Sequence, residues 1–520
     1  MCGILFTNSE LIAPRDFRGA LDLMCHRGPD VPGNFVQHGA SQFGHHRLSV
    51  VDLASRSNQP FYSHDQRHLI IFNGEIYNFR QLAQEFKLTL RTGSDTELLL
   101  ELYLRIGPQC LERFVGIFAL VIFDTLTDDY FIARDRLGAK PLYFAEHHGG
   151  VIVASEIAPL LRLLGGADVD PFALRQYRKM RGFFNGRTLY RRVSTFPAGH
   201  YRVNHRIVRY WELPPAQTEP PTDEELNELI RVAVNCRLVA DVPIGCYLSG
   251  GLDSSVVAAL AGCQHTWVTG IEPDTELPWA AEVAAHLGTT HHALTFSSDA
   301  FLAASRWMIQ KRQEPLSVPN EVLLFLLTQQ VKQFNTVMLS GEGADELFAG
   351  YDRVFRWASS ARDWDLDLFS RHYSYGTAND PEVVEDAVAP FLDRKSPYHI
   401  VSAFFQVSHL HGLLRRLDNS TMLCGVEARE PFADHRLVER VFGLGLKWKM
   451  ANGRVKAPLK RLFGHLLPGA IVDRPKLGFP VNLSAILPPV TGGAAPMDRW
   501  FEFNLAHLGL DLPIEEIASL

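Results

Sequence analysis

A chain of 520 residues outgrows a single hydrophobic core, so two or three domains are expected. Its formal charge of -7, without a basic block or Lys/Arg-rich tail, argues against a nucleic-acid partner. No run approaches the roughly 18 apolar residues of a membrane span, and the opening MCGILFTNSE lacks the basic-then-apolar order of a secretory leader, so no membrane partner is expected. The cysteines are odd in number, seven, and form no CxxC pair, which disfavours a disulfide framework or a thiolate zinc site and fits a reducing, cytoplasmic setting.

The first two hundred residues read as short strands and turns. Met1–Thr7 is a strand, and His68–Phe72 is another, closed by the turn pair Asn73–Gly74. Gly93–Gly107 is a helix that Ser94 or Asp95 can cap, with Leu98, Leu99, Leu102 and Leu104 as its apolar face. Phe114–Asp124 pairs with a strand starting at Tyr130–Arg134, and Pro141–Phe144 with Val151–Ser155 forms a hairpin, which together predict α+β layers. The proline-rich Leu213–Asp223 reads as a linker, placed at residues 211–222, between domains at 2–210 and 223–520. Beyond it, Asp223–Asn235 is a helix capped by Thr222. Strands at Pro243–Leu248, His265–Gly270 and Asn335–Leu339 alternate with helices, which predicts a parallel sheet. Ligands of such sheets gather beyond the carboxyl ends of the strands, where both glycine-rich segments and Gly270 fall.

Cys2 can be a nucleophile. With Met1 removed it carries a free α-amine as a built-in base, titrating near roughly 7.7–8.0. A thiolate attacking an amide makes an oxyanion, and Asn73 and Gly74 offer a side-chain and a backbone N–H. Arg47 and Asp95 are the charge pair that would clamp the carboxylate and amine of an amino acid. Each feature alone reads as a buried strand, a hairpin turn or a surface charge.

In SGGLDSS, Ser249–Ser255, the backbone at Gly250 and Gly251 can face an anion together with a helix N-terminus. Ser249, Ser254 and Ser255 can donate to it, and Asp253 can hold Mg²⁺. Neither GKS/GKT nor GxGxxG is present, which weighs against a Walker-type loop and a dinucleotide fold. The second signature, SGEGADELFAGY, offers Ser340, Gly341, Glu342, Asp345 and Glu346 beside the same phosphates.

The segments MCGI, HRGPD, HHRLSVVDL, NQPF, FNGEIYNF, GSDTE and GIFALVIFD…ARDRLGAKPLYF, in this order, resemble the class II, N-terminal-nucleophile glutaminase domain of glutamine-hydrolysing asparagine synthetases. SGGLDSS resembles the pyrophosphate loop of PP-loop ATP pyrophosphatases. GVEAREPFADHRLVE, NGRVKAPLK and RPKLGFP resemble the synthetase half, so the resemblance runs from about residue 2 to 480. It implies an α+β N-terminal-nucleophile αββα sandwich followed by an α/β parallel-sheet adenine-nucleotide-binding domain.

By the same resemblance Cys2 forms a glutamyl thioester, Asn73 and Gly74 make the oxyanion hole, Arg47 binds the glutamine carboxylate and Asp95 its amine, with Glu75 nearby. Arg27, Asp135 and Arg136 shape that pocket. Asp253 and Asp345 hold Mg²⁺, and Glu342 and Lys456 serve the ATP chemistry. As cations near the Lys456 segment, Lys460, Arg461, Arg474 and Lys476 are further candidates for phosphate contact. The cofactors implied are ATP and Mg²⁺, the substrates glutamine and a small carboxylic acid, and the assembly a homodimer. Aspartate is the acid the family implies. Gln313, Glu430, Ala433 and Trp279 depart from the usual family text, which keeps open another acceptor from a peptide or natural-product pathway. A binding protein with relic sites would have broken these motifs.

Overall fold

The computed structural model describes residues 2–271, 277–474, 481–487 and 495–509. The first half holds twelve strands: β1 (Cys2–Thr7), β2 (Val31–His38), β3 (Ser41–Arg47), β4 (Phe61–Tyr62), β5 (His68–Ile76), β6 (Gly116–Asp124), β7 (Tyr130–Arg134), β8 (Tyr143–His147), β9 (Gly150–Ala154), β10 (Ser194–Thr195), β11 (His200–Val203) and β12 (Arg206–Arg209). They form two six-stranded sheets, in the orders β10-β8-β9-β1-β3-β2 and β12-β11-β7-β6-β5-β4. The strand period of two separates the layers. Ile4 and Phe6 meet Phe43, Leu69, Ile71 and Val121 between the sheets, whereas Leu5 points outward to Phe17, Leu21 and Leu160. Phe17 and Leu21 lie on the helix Pro14–Leu21 and Leu160 on Ile157–Leu164. The helix Asp95–Ile106 covers the outer face of the second sheet with Leu98, Leu99 and Leu102, and Ser94 caps it by accepting the Thr96 N–H. These are the four αββα layers.

One expectation fails here. Asn73 and Gly74 do not turn the chain: β5 continues through them to Ile76, with Asn73 opposite Ala119 and Gly74 opposite Phe118. Glycine is needed at 74 for another reason. A Cβ there would sit 2.2 Å from the Ile117 carbonyl oxygen.

The second half is built on a five-stranded parallel sheet of β13 (Ile244–Tyr247), β14 (His265–Ile271), β15 (Thr290–Phe296), β16 (Val337–Leu339) and β17 (Glu427–Arg429), in the order β15-β14-β13-β16-β17. The central neighbours β13 and β16 end at Tyr247 and Leu339, so the two glycine-rich loops leave the sheet side by side. The helix Leu252–Ala261 follows the first loop, and Thr222 caps Asp223–Cys236 as expected. Among the described residues no helix is long and apolar enough to cross a membrane.

The two halves meet along a buried polar seam. Arg27 donates to Asp418 at 2.8 Å, and Lys140 donates to the other Asp418 oxygen at 3.0 Å. All three side chains are buried.

Candidate active sites

Register carries the first site. β1 lies against β3 with Cys2 opposite Arg47, and the Cys2 nitrogen donates to Asn73 Oδ1 at 2.9 Å. The Cys2 side is buried, and the Asn73 Nδ2 donor is buried without a hydrogen-bond partner among the described residues. A buried amide whose oxygen holds the Cys2 nitrogen and whose N–H₂ has no partner is suited to receive an oxyanion. Arg27 Nε holds the Cys2 carbonyl oxygen at 3.2 Å. Met1 lies outside the described residues.

The other predicted glutamine-side residues are close but already engaged. The terminal nitrogens of Arg47 donate to the carbonyls of Val51, Asp52 and Ala54 and to Asn58 Oδ1, so this guanidinium braces the loop after β3. Asp95 accepts the Ile76 N–H at 2.9 Å, and burial pushes its carboxyl up to about 6 against that hydrogen bond. Glu75 reaches across the seam to Arg429 at 3.4 Å, and burial, with the Asp95 charge, pushes it well above the usual carboxylate range. Asp135 and Arg136 are structural: Asp135 accepts the N–H groups of Leu137, Ala139 and Lys140, and Arg136 holds the carbonyls of Leu111, Glu112 and Phe114.

The second site is a cavity of about 1090 Å³ over the carboxyl ends of β13, β14 and β16, lined among others by Ser249, Gly251, Asp253, Ser254, Ser340, Gly341, Glu342, Asp345 and Lys456. Two glycines make it by close approach. A Cβ on Gly250, whose φ is +71°, would meet the Ala280 nitrogen at 2.6 Å, and one on Gly341 would meet the Ser254 nitrogen at 2.7 Å. Lys456 bridges Asp253 and Asp345, the latter at 2.5 Å. Burial alone would lower its pKa, but the two carboxylates overcome this and hold it above its ordinary value. Its backbone is left-handed, at φ 58°, a conformation that costs a lysine energy and that tends to persist where a site fixes it. Two carboxylates close enough to share one ammonium are also close enough to share a divalent cation, and hard oxygen donors completed by phosphate and water suit Mg²⁺. Among the described residues no group of three or more His, Cys, Asp or Glu forms a metal site without such help.

The predicted residues differ in how they stand to this cavity. Ser255 is buried and donates to the Gly251 carbonyl at 2.7 Å, Gly250 contributes conformation rather than lining, and Gly270 lies inside β14, where Val268 and Thr269 line the cavity instead. Lys460 and Arg474 line it, whereas Arg461 pairs with Asp223 at the exposed surface. Lys476 lies outside the described residues. Arg416 was not anticipated. It donates to Glu342 at 2.8 Å from the helix Leu410–Met422. Its signal in the sequence is only an arginine pair within an amphipathic helix, which reads as a solvated face. Arg181 lines the same cavity from the first half of the chain.

A nucleophile sandwich joined to a parallel-sheet ligand cavity defines a glutamine amidotransferase fused to a synthetase. Residues 1–211 match the glutamine amidotransferase domain family and residues 225–491 the asparagine synthase family. Asparagine synthetase B [glutamine-hydrolyzing] of Escherichia coli is 30% identical over 88% of this chain and 77% of its own length. A Mycobacterium tuberculosis protein provisionally named a glutamine-hydrolysing asparagine synthetase is 31% identical over 89% of this chain and 83% of its own. Asparagine synthetase [glutamine-hydrolyzing] 3 of Bacillus subtilis is 29% identical over 92% and 87%. The chain belongs to the glutamine-hydrolysing asparagine synthetase family and is an amidotransferase ligase.

Proposed function

We propose that this enzyme converts aspartate to asparagine with glutamine as nitrogen donor and ATP as activator, releasing glutamate, AMP and pyrophosphate. The first domain spans about residues 2–210 and the second starts near residue 223. The Cys2 thiolate attacks the glutamine side-chain amide, and the oxyanion takes hydrogen bonds from Asn73 Nδ2 and the Gly74 N–H. Ammonia leaves and water hydrolyses the thioester. Arg47 and Asp95 receive the glutamine carboxylate and amine, which requires Arg47 to exchange a loop carbonyl for the substrate.

In the large cavity the Ser249–Ser254 loop receives the ATP phosphates. Asp253 and Asp345 would hold Mg²⁺, which supplies charge neutralisation on the phosphates. The acceptor carboxylate attacks the α-phosphorus to give an acyl-adenylate, Lys456 stabilises the charge that develops, and Glu342 serves the proton of the attacking ammonia. The observation that carries the reading is the pairing of a buried, unpartnered Asn73 donor at Cys2 with an Asp253–Lys456–Asp345 cluster in one chain.

Aspartate is favoured over a larger acid because the departures that suggested otherwise lie off the cavity. Gln313 caps a helix and donates to the Gln310 carbonyl, and Ala433 lines a small void on the domain seam. Trp279 packs beneath Arg474 beside the loop. The test supplies purified enzyme with glutamine, Mg-ATP and aspartate and follows asparagine, AMP and glutamate by mass spectrometry. Asparagine and AMP in equal amounts support the reading. Glutamate without asparagine overturns the acceptor, and a folded, Met1-free enzyme inactive in both half-reactions overturns the mechanism.

A further inference from the structure

The two chemistries are linked through one short stretch of chain. Arg429, at the end of β17, extends its guanidinium to Glu75, the neighbour of Gly74, while its carbonyl accepts the Ser340 N–H of the cavity loop. The next residue is Glu430. It is 2% exposed, and its Oε2 has no hydrogen-bond partner among the described residues. The charged groups that act on it are Lys140 and Asp418 of the seam, Arg237, and Glu342 of the cavity. Asp418 leads back through Arg27 to the Cys2 carbonyl. Glu430 thus follows directly on the residue whose side chain reaches the Cys2 side and whose backbone holds the cavity loop, and it lies within the field of the seam charges. The turn that Glu430 opens carries Ala433 and Asp434, which with Arg237 line a void of about 10 Å³ closed on its other side by Gly116, Ile117, Leu137 and Ala139. That is close to the room one water-sized molecule needs. Ile117 is also the residue whose carbonyl presses on Gly74.

A buried carboxyl oxygen without a partner costs stability unless a guest supplies a donor. We propose that Glu430 is a hydrogen-bonding station for ammonia on its internal passage from Cys2 to the synthetase cavity, its free oxygen accepting an ammonia N–H as the molecule crosses the seam. Burial pushes the carboxyl up to about 8, while Lys140 and Arg237 pull the other way, so near neutrality it stays uncharged. The carboxyl keeps its proton while its free oxygen accepts the ammonia N–H, because transfer would create a buried ion pair at the cost of desolvating both charges, and would leave ammonium, which has no lone pair with which to attack an acyl group.

This rests on the two-site reading above, and the experiment separates the two. Full-length wild type, E430Q and E430L are assayed for glutamate and amide formed from glutamine, and for amide formed from ammonium chloride supplied directly, with E430A in place of E430L should the latter fail to fold. E430L is expected to release glutamate at the wild-type rate and to make amide from ammonium chloride normally. Its amide-to-glutamate ratio with glutamine should fall about threefold to tenfold, the effect of one lost hydrogen bond. E430Q, which keeps a carbonyl acceptor, should hold the wild-type ratio. An unchanged ratio in E430L overturns the proposal, as does an equal fall in the ammonia-fed rate, which would place Glu430 in the synthetase chemistry. A wild type lacking either half-activity overturns the two-site reading and this proposal with it.

Discussion

In the proposed reaction Asn73 divides one amide between two tasks: Oδ1 accepts the Cys2 N–H, and the unpartnered Nδ2 is the donor proposed for the oxyanion. N73A removes both. Its glutamine-dependent kcat should fall about 10²–10³-fold, the usual cost of one oxyanion donor, with ammonia-fed synthesis unchanged. Parallel loss of the ammonia-fed rate would show that Asn73 supports the whole fold instead. Glu430 makes a second residue-scale argument, in stability. Its folded pKa lies above its unfolded one, so between about pH 4.5 and 8 the folded state binds the extra proton and stability declines as pH rises. E430Q does not pay this linkage. Relative to wild type it should gain up to about 4 kcal/mol between about pH 5 and 8, at about 1.4 kcal/mol per pH unit. Urea melts at both values check this, and a pH-independent difference would contradict the buried, neutral carboxyl.

At the scale of elements, the site depends on how closely two loops pass. G341A puts a methyl group 2.7 Å from the Ser254 nitrogen and against Asp253, on backbone that cannot yield without moving the Ser249–Ser254 loop proposed to receive the ATP phosphates. The synthetase half-reaction, read as ATP–pyrophosphate exchange, should drop at least about tenfold, because about 1.4 kcal/mol of mispositioning suffices. Glutaminase activity should persist, and normal exchange in G341A would refute the close-approach argument. These glycines were legible in the sequence because they stand where a strand gives way to a helix. The strands β5, β6, β7, β13, β14 and β16 were legible too, from apolar runs bounded by turn residues. β17 was not: Glu-Ala-Arg carries no apolar period, and it is buried only because Arg429 donates to Glu427 at 2.6 Å and reaches Glu75. β15, with adjacent histidines and every other residue exposed or half-exposed, hides for a related reason. Asn73–Gly74 misled because the pair favours turns locally, whereas nine residues of antiparallel pairing with β6 decide the conformation. Local pattern finds elements; partners supplied from distant sequence do not show in it.

At the scale of the molecule, the seam determines whether two enzymes behave as one. Asp418, from the helix Leu410–Met422, neutralises Arg27 and Lys140 of the first half where no solvent can. Arg27 has Glu156 as a further partner at 3.3 Å and also holds the Cys2 carbonyl, so a change at Asp418 is felt at the nucleophile. D418N leaves two buried cations facing a neutral amide. Breaking one side of a buried ion cluster costs about 3–5 kcal/mol, since the stranded charges are not rehydrated. The cost falls on the contact between the halves rather than on either core, so the expected signature is a change in cooperativity. Wild type should unfold in urea in one transition by both tryptophan fluorescence and glutaminase activity, and D418N should show the two probes separating. Adding K140M to D418N should return part of the loss, because it removes one stranded cation, and the difference from additivity measures the coupling across the seam. Coincident transitions in D418N with a destabilisation below about 1 kcal/mol would mean that apolar packing alone joins the halves. In that case the polar seam would serve the passage between the two sites and not their cohesion.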